Sequence, residues 1–239
     1  SQVNVNSMMT VLPLFDIEIE PAEPLASGWY ADAVKVTLKG LDSLSGVDRT
    51  YYSVDGGDPQ VYADPFDFGE KGEHTISFWS LDRAGNAEDR AAPGHSITIK
   101  IDGIAPSIDG HRTPAANGYG WNDGPVTVSF ACSDAESGIA GCSDPVTLAG
   151  EGAGQSAQGT AVDNAGNSAG AEVKDVNIDL TAPELGGAPT TDANAAGWYR
   201  GDVTIHWTGT DALSGIDPDL FRPADVDLLV GDASLAQAM

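Results

Sequence analysis

Hydrophobic and polar residues alternate along several short stretches of this chain. Where this alternation is clearest, Val126, Val128 and Phe130 would lie on one side of an extended strand. Thr127 and Ser129 would lie on the other side. A period of two, carried by β-branched and aromatic residues, is typical of a half-buried β-strand. Turn residues separate the short stretches and no helical period is visible, so the pattern predicts an all-β protein built as a β-sandwich.

The chain contains an internal repeat. Three pairs of markers are each 77 positions apart: Trp121 and Trp198, Asp134 and Asp211, Pro106 and Pro183. An earlier copy is offset by 92 positions, from Trp29 to Trp121 and from Asp42 to Asp134. The first repeat is therefore 15 residues longer, and 11 of these lie between its two acidic turns. A fixed register of this kind indicates tandem modules.

Proline just after the last strand of a module would block further strand pairing and stiffen the junction. Pro106 and Pro183 have this position. We therefore expect modules at residues 1–104, 105–181 and 182–239. Residues 228–239 resemble residues 147–159, so the third module is expected to lack its final two strands. Either the chain is a fragment, or a strand comes from elsewhere.

The repeated order Gly-Trp, Val-Thr-Val, Asp-x-x-Ser-Gly, Asp-x-Ala-Gly-Asn and Ile-Asp before Ala-Pro resembles that of tandem bacterial immunoglobulin-like modules. Such modules occur in secreted and cell-surface proteins, including adhesins and accessory parts of polysaccharide-degrading enzymes. The resemblance covers residues 14–217. It implies immunoglobulin-like β-sandwiches arranged end to end, with the last one incomplete. The motif at residues 51–57 also resembles a subtype found beside glycan-processing domains.

The two cysteines flank the Ser-Gly turn of the second repeat. The first and third repeats carry Gly40 and Gly209 at the position of Cys132, and Thr50 and Asp219 at that of Cys142. Both cysteines are confined to one repeat, which predicts a Cys132–Cys142 disulfide rather than two free thiols. Without a nearby histidine, they make a poor zinc site.

The acidic turns are candidate metal ligands. In a sandwich of this family, the Asp-x-x-Ser-Gly loop lies beside the last hairpin and the incoming linker. Asp134, Asp163 and Asp102 would then meet, with Asn167 or carbonyl oxygens, in an oxygen-rich site suited to Ca²⁺. Simple turn chemistry, in which each aspartate accepts local backbone N–H groups, explains the same motifs without a metal. By analogy, the other candidate ligands are Asp42 and Asp82, near Asp16, and Asp179 with Asp211.

Aromatic residues suggest a second kind of site. Tyr51, Tyr52, Tyr62 and Phe66 belong to a segment peculiar to the first repeat, and are candidates for a glycan-contacting surface. Five tryptophans are interpreted instead as packing residues. Three recur at one position of the repeat, and two lie within strands; they are Trp29, Trp121, Trp198, Trp79 and Trp207.

Net charge narrows the possible functions. The formal charge of −25 would repel nucleic acid and anionic membranes, and no apolar run is long enough to span a bilayer. No motif of a nucleophile elbow, phosphate loop or zinc protease appears, so we expect no enzyme. The resemblance implies an extracellular or cell-surface spacer whose partners are neighbouring modules. Alternatives are a carbohydrate-binding or adhesive module, contacting glycans or surface proteins, and a subunit of a surface layer or fibre.

Overall fold

The first repeat folds into two facing sheets. The structure, a computed structural model, describes residues 14–216, and every regular element in this range is a β-strand. The predicted all-β sandwich fold is confirmed. The strands of the first repeat are β1 (Leu14–Glu20), β2 (Val34–Leu41), β3 (Val47–Val54), β4 (Gln60–Tyr62), β5 (Phe66–Phe68), β6 (Gly72–Asp82) and β7 (Ser96–Ile101). One sheet has the order β1-β2-β5 and the other β4-β3-β6-β7.

The core of this repeat forms where alternate residues of the two sheets meet. Val34 and Val36 of β2 are fully buried, as is Ile76 of β6, while Phe78 is 1% exposed. These residues belong to one hydrophobic cluster with Ile99 and Ile101 of β7. Burial of one such side chain stabilises a fold by about 1.5–3 kcal/mol, so this cluster is the main source of stability of the first repeat.

The second repeat also has two sheets. Its strands are β8 (Ser107–Thr113), β9 (Trp121–Asn122), β10 (Val126–Ser133), β11 (Ile139–Cys142), β12 (Val146–Leu148), β13 (Gly152–Asp163) and β14 (Ser168–Ile178). The sheet orders are β12-β10-β8 and β11-β13-β14-β9. Val126, Val176 and Ile178 form a buried cluster. On β13, Ala161 is fully buried, and a Cβ placed on Gly159 would lie 2.6 Å from the Phe130 ring. Small residues on β13 thus allow close packing.

Two compact units make up the chain. The first comprises Ser1–His111, Ser129–Asp144 and Gln158–Glu172, and the second comprises Arg112–Val128, Pro145–Ala157 and Val173–Met239. Both acidic turns of the second repeat therefore belong to the same unit as the first repeat. The module boundaries near residues 104 and 181 stay predictions.

The third repeat contributes an antiparallel pair of strands to the second unit. These are β15 (Glu184–Pro189) and β16 (Ile205–Thr210), with Glu184 opposite Thr210. The predicted similarity of residues 228–239 to residues 147–159 lies outside the described residues. Between residues 14 and 216, no helix is long and apolar enough to cross a membrane.

Candidate metal centre

Three carboxylates meet in the first unit, where the first repeat continues into the second. Single carboxylate oxygens of Asp102, Asp134 and Asp163 all lie within 4.8 Å of one another. Asp102 is fully buried, Asp163 is 1% exposed and Asp134 is half-buried. This is the group of three that the sequence predicts, and it is the one such group among residues 14–216.

Asp102 directly follows the last residue of β7 and joins the two repeats. Its Oδ1 accepts the backbone N–H of Ile104 at 2.9 Å, and its Oδ2 accepts that of Ser137 at 3.1 Å. Burial alone would raise the pKa of Asp102, but the donors of Ser137 and Ile104 outweigh burial and lower it. Asp102 is therefore an ionised carboxylate at neutral pH.

Asp134 and Gly138 close the first acidic turn of the second repeat. Asp134 Oδ1 accepts the backbone N–H groups of Glu136 at 3.1 Å and Gly138 at 2.8 Å. Gly138 has a φ of 78°, which glycine adopts without steric cost. The structure thus contains the local hydrogen bonds of the turn-chemistry interpretation. Both of these donors bind Oδ1 and neither binds Oδ2.

Asp163 and Asn167 form the second acidic turn. Asp163 Oδ1 accepts the backbone N–H groups of Ala165 at 2.9 Å and Asn167 at 2.8 Å. The Asn167 side-chain amide nitrogen donates to Asp163 Oδ2 at 2.9 Å and to the carbonyl oxygen of Asp102 at 2.8 Å. Asn167 thus ties the hairpin to the linker through its nitrogen, and its role as an oxygen ligand of a metal stays a prediction.

Ser137 adds a polar atom beside the three carboxylates. The residue is 9% exposed, and its Oγ is buried without a hydrogen-bond partner among the described residues. Its own backbone N–H donates to Asp102. Ser137 Oγ is therefore a further buried oxygen atom beside the three carboxylates.

The charge of this cluster is not balanced by a basic side chain. None of the ion pairs among residues 14–216 includes Asp102, Asp134 or Asp163. Two like charges about 5 Å apart repel by roughly 3 kcal/mol at the effective dielectric constant of a protein surface. Three neighbouring carboxylates of this kind can therefore hold a metal cation, which would offset the repulsion.

A similar junction occurs 77 residues later, in the second unit. Asp179 Oδ1 accepts the N–H of Thr181 at 3.1 Å, and its Oδ2 accepts the N–H of Ser214 at 2.9 Å. Asp211 Oδ1 accepts the N–H of Gly215 at 2.7 Å. The hydrogen bonds from Ser214 are the main cause that lowers the pKa of Asp179. The hydrogen bonds of the first junction are thus repeated, with two carboxylates in the described part.

In the first repeat, the candidate ligands Asp42 and Asp82 accept hydrogen bonds from residues of their own turns. Asp42 accepts the N–H of Leu44 at 2.9 Å, and this bond is the main cause that lowers its pKa. The Asn86 side chain donates to Asp82 at 2.8 Å and lowers the pKa of Asp82 in the same way. Asp16 lies in β1 opposite Lys39, so it does not complete a group of three.

The repeat register explains this difference between the two repeats. The position 92 residues before Asp102 is Thr10, which lies outside the described residues and has no carboxylate. Arg83 also brings a guanidinium close to Gly46 in the first acidic turn, where the second repeat has Asn164 beside Gly138. The first repeat therefore has the positively charged Arg83 at the position where the second repeat has the neutral amide of Asn164.

Cys132 and Cys142 form a disulfide with their Cα atoms 6.0 Å apart. In the first repeat, the same two positions are Gly40 and Thr50, and they also lie close together. A Cβ on Gly40 would approach the Thr50 Oγ1 to 3.2 Å, but it would also lie 2.3 Å from the Oγ of Ser80. The second repeat has Ala161 in place of Ser80, so the space that this hydroxyl occupies is open to the disulfide.

The predicted glycan-contacting residues do not share one surface: Tyr51, Tyr52 and Tyr62 lie in the sheet β4-β3-β6-β7, and Phe66 lies in the facing sheet. Tyr52, Tyr62 and Phe66 pack against the hydrophobic core. The Tyr52 and Phe66 rings stack at 4.6 Å, and Tyr62 contacts Phe66 edge-on at 6.4 Å. Tyr51 has the opposite orientation and stacks on Trp79 with ring centroids 5.7 Å apart. The structure therefore separates Tyr51 from the other three.

Trp79, which the sequence indicates is a packing residue, lies half-buried on the outer face of β6. Its neighbours Phe78 and Ser80 are buried and face the other way. The alternation along β6 carries this signal, because Ile76, Phe78 and Ser80 share one parity and Trp79 has the other. Trp207 lies half-buried in β16, where a Cβ on Gly187 would lie 2.6 Å from its ring.

The comparisons with known proteins give structural likeness only. No family model matches the chain, and no curated protein matches it. The chain is similar to the fibronectin(III)-like modules of Clostridium thermocellum CbhA, with 11% identity over 68% of this chain and 95% of that one, at a TM-score of 0.32. It is also similar to the central fibronectin-III array of RIM-binding protein, with 15% identity over 82% of this chain and 78% of that one, at a TM-score of 0.26. Because both TM-scores are low, the assignment as tandem β-sandwich modules rests on the strand orders and cores described above.

Proposed function

We propose that this chain is a non-catalytic spacer in a secreted or surface-attached protein, and that its junctions restrict bending between modules. One observation carries the proposal. The hydrogen bonds from Ser137 to Asp102 and from Ser214 to Asp179 recur at positions 77 residues apart. An aspartate at the end of one repeat is thus bound, twice, by a turn of the next repeat.

The linkers at these junctions are short. Five residues separate Ile101, at the end of β7, from Ser107, at the start of β8, and five separate Ile178 from Glu184. Each linker contains a proline, Pro106 or Pro183, which fixes one backbone dihedral. Short linkers that also make side-chain hydrogen bonds allow less motion than flexible coil of the same length.

In the first unit, an additional contact supports the first junction. Ser27 Oγ donates to the carbonyl oxygen of Asn164, and a Cβ on Gly166 would lie 3.1 Å from Leu25 Cδ1. Ala165, between these two turn residues, is 1% exposed. The loop of the first repeat therefore covers the second acidic turn, which favours a fixed orientation at this junction.

Two chemical properties of the chain, its disulfide and its net charge, support a location outside the cell. Disulfides persist in oxidising compartments, and the chain contains one at Cys132–Cys142. A net charge of −25 favours solubility and opposes binding to nucleic acid or anionic membranes. His74 binds Asp55 at 2.7 Å and the carbonyl oxygen of Lys71 at 3.0 Å, which is a structural rather than a catalytic arrangement.

We propose further that Ca²⁺ binds Asp102, Asp134 and Asp163 and stabilises the first junction. Calcium–oxygen bonds are about 2.3–2.6 Å long, so oxygens on one ion lie up to about 5 Å apart. The three carboxylate oxygens lie within 4.8 Å of one another, which fits this range. The buried Ser137 Oγ and the Asp134 Oδ2 are further oxygen atoms at this site, and Oδ2 accepts neither of the backbone N–H groups that bind Asp134 Oδ1.

Pulsed electron–electron spin resonance would test the spacer role. Spin labels on the exposed positions Asp67 and Gln158 report the distance between the first and second repeats. We expect a narrow distance distribution in the wild type and a broad one in Asp102→Ala. Asp58→Asn, an exposed change in the first repeat, is the control. A wild-type distribution as broad as that of Asp102→Ala would contradict the proposal.

Calorimetric titration would test the metal independently. We expect Ca²⁺ to bind with an affinity on the order of 10⁻⁴–10⁻³ M, as in other extracellular modules. Asp134→Asn should abolish binding, while Asp42→Asn in the equivalent turn of the first repeat should leave it unchanged. Equal melting temperatures in chelator and in millimolar Ca²⁺ would overturn the calcium site without affecting the spacer proposal.

A further inference from the structure

The outer face of the sheet β4-β3-β6-β7 carries an aromatic and basic cluster. Tyr51 of β3 lies directly opposite Trp79 of β6, and the two rings are nearly parallel, with an interplanar angle of 13°. The Arg90 guanidinium lies 4.8 Å from the centroid of the Trp79 ring. Val61 of β4, 57% exposed, is opposite Tyr51 on its other side. We call these four residues the outer cluster.

The fold itself does not require these aromatic side chains. In the repeat register, Tyr51 corresponds to Ser143 and Trp79 to Thr160. The second repeat places this pair in the same way, because the N–H of Ser143 donates to the carbonyl oxygen of Thr160 at 3.0 Å, and their hydroxyls are 3.4 Å apart. The same sandwich position is therefore filled by two small polar residues in one repeat and two large aromatic residues in the other.

Both extra segments of the first repeat contribute to the outer cluster. The spacing from Asp42 to Asp82 is 11 residues longer than that from Asp134 to Asp163, and this insertion contains Val61. The spacing from Asp82 to Ile101 is four residues longer than that from Asp163 to Ile178, and this stretch contains Arg90. Two separate insertions thus bring side chains to the same two aromatic rings.

The residue types of the outer cluster indicate the chemical class of its partner. Tryptophan, tyrosine and arginine are the residue types that dominate binding energy at interfaces. Flat aromatic rings on an open sheet fit the apolar face of a sugar ring, and a guanidinium donates hydrogen bonds to hydroxyls. The net charge of −25 disfavours an anionic polymer. We propose that the outer cluster binds a neutral polysaccharide, a function separate from that of the spacer.

The second repeat supplies the variant for the test. Tyr51→Ser combined with Trp79→Thr introduces the Ser143–Thr160 pair into the first repeat, where this sandwich position tolerates it. The full chain is incubated with insoluble cellulose and chitin, and the bound fraction is measured. We expect retention of the wild type and at least about tenfold weaker binding by the double variant. Arg90→Ala should weaken binding too, and Tyr119→Ser, an exposed tyrosine of the second repeat, should not.

The experiment has three outcomes that would overturn the proposal. These are no retention of the wild type on either polysaccharide, equal retention of the wild type and the double variant, and retention only on anionic polymers such as alginate. An unchanged melting temperature for the double variant would show that lost binding does not come from unfolding. If the double variant has a lower melting temperature, retention of Arg90→Ala is the deciding measurement, since Arg90 is an exposed side chain outside the core.

Discussion

The carboxylate of Asp102 accepts the backbone N–H of Ser137 at 3.1 Å, which joins the end of one repeat to a turn of the next. Asp102 is the first residue of the linker, and Ser137 is the serine of the Asp-x-x-Ser-Gly motif. The motif therefore has two functions. Its aspartate closes the turn, and its serine N–H binds the preceding repeat.

Replacement of Asp102 by alanine should destabilise the junction. The buried N–H of Ser137 would lose its acceptor, which costs about 1–3 kcal/mol. Denaturation in chelator, which removes any contribution from metal, should show this loss for Asp102→Ala. Asp179→Ala is the matched variant at the second junction, where Ser214 is exposed, and its effect should be smaller. Equal effects of the two variants would contradict the importance of burial.

Loss of the disulfide should destabilise the second repeat. A crosslink between residues 132 and 142 closes a short loop, which corresponds to about 3 kcal/mol in the chain-entropy model. Calorimetry of Cys132→Ser with Cys142→Ser should therefore show a lower melting temperature for the transition of the unit that contains both cysteines. An unchanged thermogram would mean that the loop is already ordered in the unfolded chain.

The disulfide should be transferable to the first repeat. Gly40→Cys with Thr50→Cys places cysteines at the equivalent positions, but the Ser80 hydroxyl occupies the space at Gly40. We expect the crosslink to form readily only when Ser80→Ala is included. The second repeat, which has the disulfide, carries Ala161 at the position of Ser80. Thiol counting after air oxidation distinguishes the triple variant from the double one.

Gly159→Ala should destabilise the second repeat, because the added Cβ would lie 2.6 Å from the ring of Phe130. Overpacking of this kind typically costs about 1–3 kcal/mol. Gly170→Ala, on the neighbouring strand, is the control, since its nearest neighbour would be at an ordinary 3.7 Å. Urea denaturation of both variants is the measurement, and similar midpoints would show that Phe130 moves aside without cost.

His74 should make the stability of the first repeat depend on pH. The hydrogen bond that His74 donates to Asp55 is the main cause that raises the pKa of His74. The protonated imidazole is therefore favoured in the folded state, and its stabilisation is complete below about pH 6.5, the unfolded value. It is lost as the pH rises through the raised pKa. The difference in stability between wild type and His74→Gln should shrink from pH 5.5 to pH 8.5.

At low pH, the stabilisation by Asp55 of the Asp55–His74 pair has the opposite pH dependence. The backbone N–H of Thr75 is the main cause that lowers the pKa of Asp55, followed by His74. The contribution of Asp55 is present above about pH 4 and is lost as the pH falls through its lowered pKa. Asp55→Asn should therefore reduce the pH dependence of the His74→Gln effect, leaving the part due to the Lys71 carbonyl, and an undiminished dependence would exclude the pair as its main source.

Repetition made much of the fold predictable from the sequence. The positions of the strands follow from their alternation. The meeting of Asp102, Asp134 and Asp163 follows from the order of strands in the resembled family. The register also identifies Gly40 and Thr50 as the positions of the first repeat that correspond to Cys132 and Cys142. These features depend on the backbone path, which the first two repeats share.

Side-chain directions were harder to predict. The sequence does not show that Asn167 directs its nitrogen to Asp163, because an amide offers a donor and an acceptor of similar size. It also grouped Tyr52 with Tyr51, although adjacent residues of a strand point to opposite faces. The orientation of Trp79 depends on which parity of β6 faces the core, and this is fixed by the packing of Ile76 and Phe78.

The cover over Ala165 has a consequence for how the chain can be divided. A second repeat excised at residue 105 would expose Ala165, lose the contact of Leu25 with Gly166 and leave Asp134 and Asp163 without Asp102. The segment that repeats in the sequence is therefore smaller than the segment that folds as a unit. A stable second repeat should therefore require Asp102 and the loop that contains Leu25.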